Sequence, residues 1–295
     1  MSRAGREAAG GGPAGPGGSD GPGGSGGPGG AALPPVWGWA VRGFTLYGRR
    51  YVARHFHALR VLKATRPALS GLAPGAPVLV VMNHASWWDP MTAVALRSVS
   101  PMAQGTSYAP IHAEMLQRYG VFKRLGFFGA TPGSVAGARA FLRAGSAALR
   151  TPGASLWVTG QGAFTDPRVR PVTLQPGLAH LCQREKRAGG SAAVVLPLAV
   201  ECPFWEEKTP ELLVAAGRPF ALAEGPGGLA AWQRALESGL EDAMDRLAVA
   251  AERRDPGKFD TLLGGSAGPG GVYGAWERAK ALARGRRYAA EHAGG

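Results

Sequence analysis

Apolar residues run unbroken from Val78 to Met82 and meet a polar loop at Asn83. A short apolar run ending at a polar break predicts a buried strand. Helical periodicity predicts helices near 89–98 and 111–119, with a strand near 124–129 following. Ser134, after Thr131-Pro132-Gly133, reads as the N-cap of a helix over 134–149. A strand at 155–159, a helix near 177–187, a strand at 192–200, a strand near 211–216 and a helix over 229–254 complete the series. Residues 192–200 are almost wholly apolar, which predicts a strand covered on both faces. Strands alternating with helices predict an α/β fold: a mixed, largely parallel central sheet flanked by helices.

Ahead of this series, residues 36–63 have a different pattern. At about 100° per residue, Trp37, Val41, Phe44, Tyr51, Val52, Leu59 and Leu62 gather on one face, and Arg42, Arg49, Arg50, Arg54 and Arg60 gather opposite. Gly38, Gly43 and Gly48 weaken a helix here, so one long helix and two short ones fit equally. A basic amphipathic segment with Trp and Tyr on its apolar side suits an anionic membrane surface. The same pattern fits a helix packed on the domain with its arginines solvated. The organisation read from the chain is a disordered Gly/Pro-rich tail (1–33), basic membrane-contact helices (36–66), an α/β domain (67–260), and a flexible linker with a basic C-terminal helix (264–295).

Charge sharpens this picture. The chain of 295 residues carries 33 basic and 20 acidic side chains, a formal net charge of +13. No acidic residue falls between Asp20 and Asp89, where Arg42, Arg49, Arg50, Arg54, Arg60, Lys63 and Arg66 cluster. Such a block implies an anionic partner. No zinc-finger spacing or RNA-binding motif is present, so nucleic acid is not the expected partner. No run of about 18 apolar residues predicts a spanning helix, and the tail lacks the basic-then-apolar order of a secretory signal. Cys182 and Cys202 form no CxxC pair and lie in no His cluster, so neither a metal site nor a disulfide framework is expected.

The chemistry is expected where the first strand ends, in Asn83-His84-Ala85-Ser86-Trp87-Trp88-Asp89-Pro90. A histidine with a nearby carboxylate makes a general base, the carboxylate fixing the tautomer and stabilising the imidazolium. This stretch resembles the first signature block of the glycerolipid acyltransferases, the family of lysophosphatidate acyltransferases. The resemblance implies that 67–260 is an acyltransferase domain of the glycerol-phosphate acyltransferase type, in a divergent bacterial-type member. It implies His84 as the base toward an acceptor hydroxyl and Asp89 as the residue orienting it. The acyl donor would be acyl-CoA or acyl-carrier protein, with no bound cofactor and no acyl-enzyme.

The later blocks depart from the family pattern. Gly126-Phe127-Phe128-Gly129-Ala130-Thr131 resembles the second block, but Thr131 stands where the phosphate-binding arginine belongs. A hydroxyl is no substitute for a bidentate guanidinium. Arg139, Arg168 or Arg170 are the candidates to supply that charge. In the third block Gln161, followed by Gly162, takes the place of the family's glutamate. Leu174 to Leu181 resembles the stretch after it, and Pro197 resembles the fourth-block proline that ends a core strand near the site. The resemblance thus implies substrate contacts at Asn83, Ser86, Trp87, Thr131, Gln161, Gly162, Arg168 and Arg170. Trp87 and Trp88 fit either a pocket wall or core packing.

Two readings follow. One is a peripheral enzyme on the cytoplasmic face of the inner membrane, moving a fatty acyl group to a hydroxyl of a glycerolipid or lysophospholipid-like acceptor, or of a non-phosphate lipid. The other is a non-catalytic lipid-binding or scaffold protein with the same fold. Retention of both His84 and Asp89 favours the enzyme.

Overall fold

The computed structural model describes residues 33–189 and 192–265; the expected N-terminal tail to residue 32 and the C-terminal segment from 266 lie outside the described residues. The strands are β1 (Ala58–Leu62), β2 (Val78–Met82), β3 (Ser107–His112), β4 (Phe127–Ala130), β5 (Ser155–Thr159), β6 (Val194–Glu201), β7 (Leu212–Ala216), β8 (Phe220–Ala221) and β9 (Phe259–Gly264). The helices are α1 (Gly38–His55), α2 (Arg66–Ser70), α3 (Asp89–Ser98), α4 (Ala113–Arg118), α5 (Val135–Leu149), α6 (Gly177–Ala188) and α7 (Leu229–Glu252).

All nine strands form one sheet in the order β4-β3-β5-β2-β6-β7-β1-β9, with β8 pairing β6. β4, β3, β5, β2 and β6 are parallel, while β6–β7 and β1–β9 are antiparallel. This is the mixed, largely parallel sheet that the alternation predicts. The period-2 geometry of β2 explains its unbroken apolar run. Leu79 and Val81 enter a core shared with α5, α6 and α7, while Val78, Val80 and Met82 enter a second core roofed by α1 and α3. In β6, Val195 and Ala199 take the first side and Leu196, Leu198 and Val200 the second.

Several boundaries differ from the sequence reading. The N-terminal segment is a single helix only to His55, after which residues 58–62 are strand. Leu59 and Leu62 therefore belong to the sheet. Arg60 is no part of a solvated basic face: its Nε donates to Glu211 Oε2 at 2.9 Å and its Nη1 to Thr261 Oγ1 at 2.8 Å. Pairing with β7 and β9 overrides the helical period here. The interior glycines do not break α1. At Gly48 a Cβ would stand 2.8 Å from Val94 Cγ1, so the missing side chain lets α1 close onto α3.

The helix expected over 111–119 is shorter, because β3 runs to His112 and only Ala113–Arg118 are helical. The strand expected from 124 starts at Phe127, after a 3-10 turn capped by Gly126 at φ 98°. Ser134 does cap α5, its side chain accepting from Gly137 N. Pro197 does not end its strand: β6 continues to Glu201, and the Pro197 carbonyl accepts from Gly217 N at 2.8 Å. β9 extends the domain beyond residue 260 and takes up the first residue of the expected linker, Gly264.

Candidate active site

β2 carries the chain to the carboxyl edge of the sheet, where open α/β folds place their ligand sites. Asn83, next in the chain, is 0 % exposed. Its Nδ2 donates to Val200 O at 2.9 Å and its Oδ1 accepts from Val200 N at 2.7 Å. The amide ties the loop to β6 and is out of a ligand's reach, which corrects the expected substrate contact at this residue.

The next residue, His84, is held at both ends of its backbone. Its N–H donates to Gln161 Oε1 at 2.8 Å, and its carbonyl accepts from Thr165 N at 2.9 Å. Its Nδ1 lies 2.7 Å from Asp89 Oδ2. Asp89 is 1 % exposed and is the first residue of α3, where unpaired backbone N–H groups favour a carboxylate. Ser86 adds two contacts, its N–H to Asp89 Oδ2 at 3.2 Å and its hydroxyl to Oδ1 at 3.4 Å. A carboxylate oxygen accepts here, so the tautomer this contact favours carries its proton on Nδ1 and has the lone pair on Nε2.

Aromatic rings line the outer side. The Phe164 ring lies 4.3 Å from the His84 ring, and Trp87, 84 % exposed, lies 5.4 Å from Phe164. Trp88 has the opposite environment, packed on Tyr51, His55 and Phe56 at 4.9–5.6 Å. The two neighbouring tryptophans thus divide between the exposed surface of the loop and the edge of the core.

Gln161 serves the His84 backbone, a role in which either an amide or a carboxylate oxygen can accept. Gly162 turns the chain at φ 76°, where a Cβ would stand 2.9 Å from Gln175 Cγ. The expected phosphate ligands lie elsewhere or are engaged. Thr131 follows β4, three strands from β2, or about 14 Å across the sheet. Arg168 donates to Glu201 Oε1 at 2.7 Å, a hydrogen bond that also raises its pKa. Arg170 donates to Asp245 Oδ1 at 2.7 Å. Arg139 stands exposed on α5. The structure therefore gathers His84, Ser86, Trp87, Asp89, Gln161 and Gly162 around one loop and leaves Asn83, Thr131, Arg168 and Arg170 in other roles.

Sequence reasoning missed Phe164, Thr165, Glu201 and Cys202 as neighbours of this loop. Residues 164–165 follow the Gly162 turn, whose glycine was the one local clue; the contacts of 201–202 come from the β2–β6 register. Burial pushes the Cys202 thiol up to about 12, and the nearby Asp89 charge adds to the shift. A thiol held there stays protonated at neutral pH and is not a nucleophile.

Compared by sequence, the chain matches no protein-family model and no curated protein. Compared by structure, it is similar to the 1-acyl-sn-glycerophosphate (LPA) acyltransferase PlsC from Thermotoga maritima, with a TM-score of 0.50 and 12% identity over 70% of this chain and 79% of that chain. At that identity the likeness is one of architecture, and this chain has the mixed α/β fold of that acyltransferase.

Proposed function

We propose that this protein is an O-acyltransferase that moves a fatty acyl group from a thioester, acyl-CoA or acyl-carrier protein, to a lipid hydroxyl. The observation that carries the reading is the 2.7 Å His84–Asp89 bond at the carboxyl edge of the sheet. His84 Nε2 removes the acceptor hydroxyl proton as the oxygen attacks the thioester carbonyl. The tetrahedral intermediate collapses, the C–S bond breaks, and the imidazolium returns its proton to the leaving thiolate. Asp89 stabilises the imidazolium between these steps. No covalent acyl-enzyme is required: Cys202 is held protonated and the Ser86 hydroxyl faces Asp89.

The acceptor in this reading is a glycerolipid or lysophospholipid-like molecule. A non-phosphate lipid acceptor is the second reading, favoured by Thr131 in the arginine position and by the ion pairs of Arg168 and Arg170. The protein would work as a peripheral protein at the cytoplasmic face of the inner membrane, with α1 toward anionic lipid. Exposed Trp39, Leu46 and Tyr47 beside Arg42, Arg50 and Arg54 support that orientation. No helix among the described residues is long and apolar enough to cross a membrane.

The test is thiol release from long-chain acyl-CoA and acyl-carrier protein on liposomes, with a panel of lysophospholipid and non-phosphate hydroxyl lipids. Acceptor-dependent release that disappears in His84→Ala supports the enzyme. Equal release by His84→Ala overturns the mechanism. No release from any donor–acceptor pair favours a non-catalytic lipid-binding protein.

A further inference from the structure

One cavity of the fold lies away from His84. It lies at the opposite end of α3, between that end, the N-terminal half of α1 and the segment leading into β3, with a volume of about 580 Å³. Asp89 opens α3 and Arg97 sits in its last turn, so eight residues at 1.5 Å separate them by about 12 Å. Three guanidinium side chains line the cavity, Arg42, Arg49 and Arg97, together with the hydroxyl residues Thr45, Ser98, Thr106 and Ser107. No acidic side chain among the described residues lines it.

Arg97 is the most informative of the three. One end of its guanidinium, Nη2, donates to the carbonyls of Ala103 (3.1 Å) and Gly105, while Nε is buried with no hydrogen-bond partner among the described residues. Partial burial lowers its pKa from the usual arginine value, the direction desolvation gives a cation. A buried guanidinium N–H without a partner, among other arginines and facing no lining carboxylate, calls for an anion. Gln104 adds an amide to the lining, and Val36, Val41, Leu46 and Leu125 form its apolar part. Trp37 and Trp39, stacked at 5.5 Å and both exposed, stand at the N-terminal end of α1 beside it.

We propose that this cavity is a phosphate-binding site, held by Arg42, Arg49 and Arg97, that takes the headgroup of an anionic lipid. A phosphate ester matches the paired charge and hydroxyl donors, and the apolar wall with neighbouring exposed tryptophans matches a headgroup still attached to its glycerol and acyl chains. This site is not the acceptor pocket. In a lysophospholipid the reacting hydroxyl and the phosphate are only a few bonds apart, too close to bridge from Arg97 to His84. The bound lipid is therefore a non-reacting one that seats the protein on its surface. The proposal rests on the peripheral placement of α1 proposed above but not on acyl transfer.

The experiment is co-sedimentation of the full chain with phosphatidylcholine vesicles, with and without phosphatidylglycerol, in the absence of any thioester. Calorimetry with inorganic phosphate and with glycerol phosphate forms the soluble arm. Wild type, Arg49→Gln, Arg97→Gln, Arg54→Gln and His84→Ala are compared, and circular dichroism confirms that each is folded. A surface arginine near anionic lipid is worth about 1 kcal/mol, or about fivefold in binding. Arg54→Gln should lose no more than that, whereas Arg49→Gln and Arg97→Gln should each lose tenfold or more, with His84→Ala unchanged. Among the described residues Arg49 makes no side-chain hydrogen bond, so its variant decides the matter if Arg97→Gln does not fold. Phosphate or glycerol phosphate binding that is lost in Arg49→Gln, without a preference for anionic vesicles, keeps the phosphate site and assigns a soluble source. Equal losses in Arg54→Gln and Arg49→Gln would show a diffuse charge effect and overturn the site.

Discussion

Asn83→Ala separates two roles that the sequence alone merges. The residue precedes the proposed base, so a substrate contact was expected, yet its amide is fully buried with both ends on Val200 at 2.9 and 2.7 Å. Removing it strands one buried N–H and one buried C=O, since Val200 is itself 1 % exposed. Each unsatisfied group costs about 1–3 kcal/mol, partly relieved if water enters the vacated space, so about 3 kcal/mol is expected in total. For a domain of this size that lowers the melting temperature by about 6–12 °C. The assay is urea denaturation with parallel thermal melts, followed by turnover per folded molecule where an acceptor has been found. Asn83→Asp should be at least as damaging, because a carboxylate oxygen would then face the Val200 carbonyl. An Asn83→Ala protein within about 1 kcal/mol of wild type, or one of full stability with collapsed turnover, would falsify the structural assignment.

Asp89→Asn should keep the loop's shape but lose the charge that holds His84 Nδ1–H, lowering turnover by about 10²–10⁴-fold in steady-state kinetics. Gln161→Glu should preserve the bond to the His84 N–H and leave stability nearly unchanged, whereas Gln161→Leu should cost about 1 kcal/mol or more by denaturant melt. The two thiols give a pH test: Cys182 and Cys202 titrate at about 12 in the folded chain against 9.0 for an ordinary thiol. A raised folded pKa means that their contribution is intact below pH 9.0 and is lost as pH rises toward 12, so denaturation midpoints should fall across that window. Cys202→Ala should flatten that fall, and an unchanged slope would count against the burial argument.

The part of the fold legible in the chain was the part decided locally. β2 and β6 announce themselves because central strands covered on both faces carry apolar residues nearly throughout. Ser134 fixes the start of α5 through its own side chain. His84 and Asp89 were legible because both partners of the 2.7 Å bond lie on one loop. β1 was read as helix because its stabilising partners are remote: Arg60 meets Glu211 across 151 positions and Thr261 across 201. The buried role of Asn83 depends on Val200, 117 positions away, and the clamp on His84 depends on Gln161, 77 positions away. The ion pairs of Arg168 and Arg170 were illegible for a similar reason, since Glu201 and Asp245 reach them only through the fold.

The placement of β1 also bears on the order in which a growing chain can fold. β2, β3, β4, β5 and β6 can pair as they leave the ribosome, each waiting only for the strands between residues 78 and 201. β1 is made before all of them but pairs only with β7 and β9, the latter at residues 259–264. Its apolar residues and the Arg60 guanidinium therefore wait for Glu211 and β7, and its other edge waits longer, for β9. A chain stopped before Phe259 would carry β1 with one edge bare, and the Gly265 N–H that closes on the His57 carbonyl at 2.9 Å marks where that edge is finally sealed.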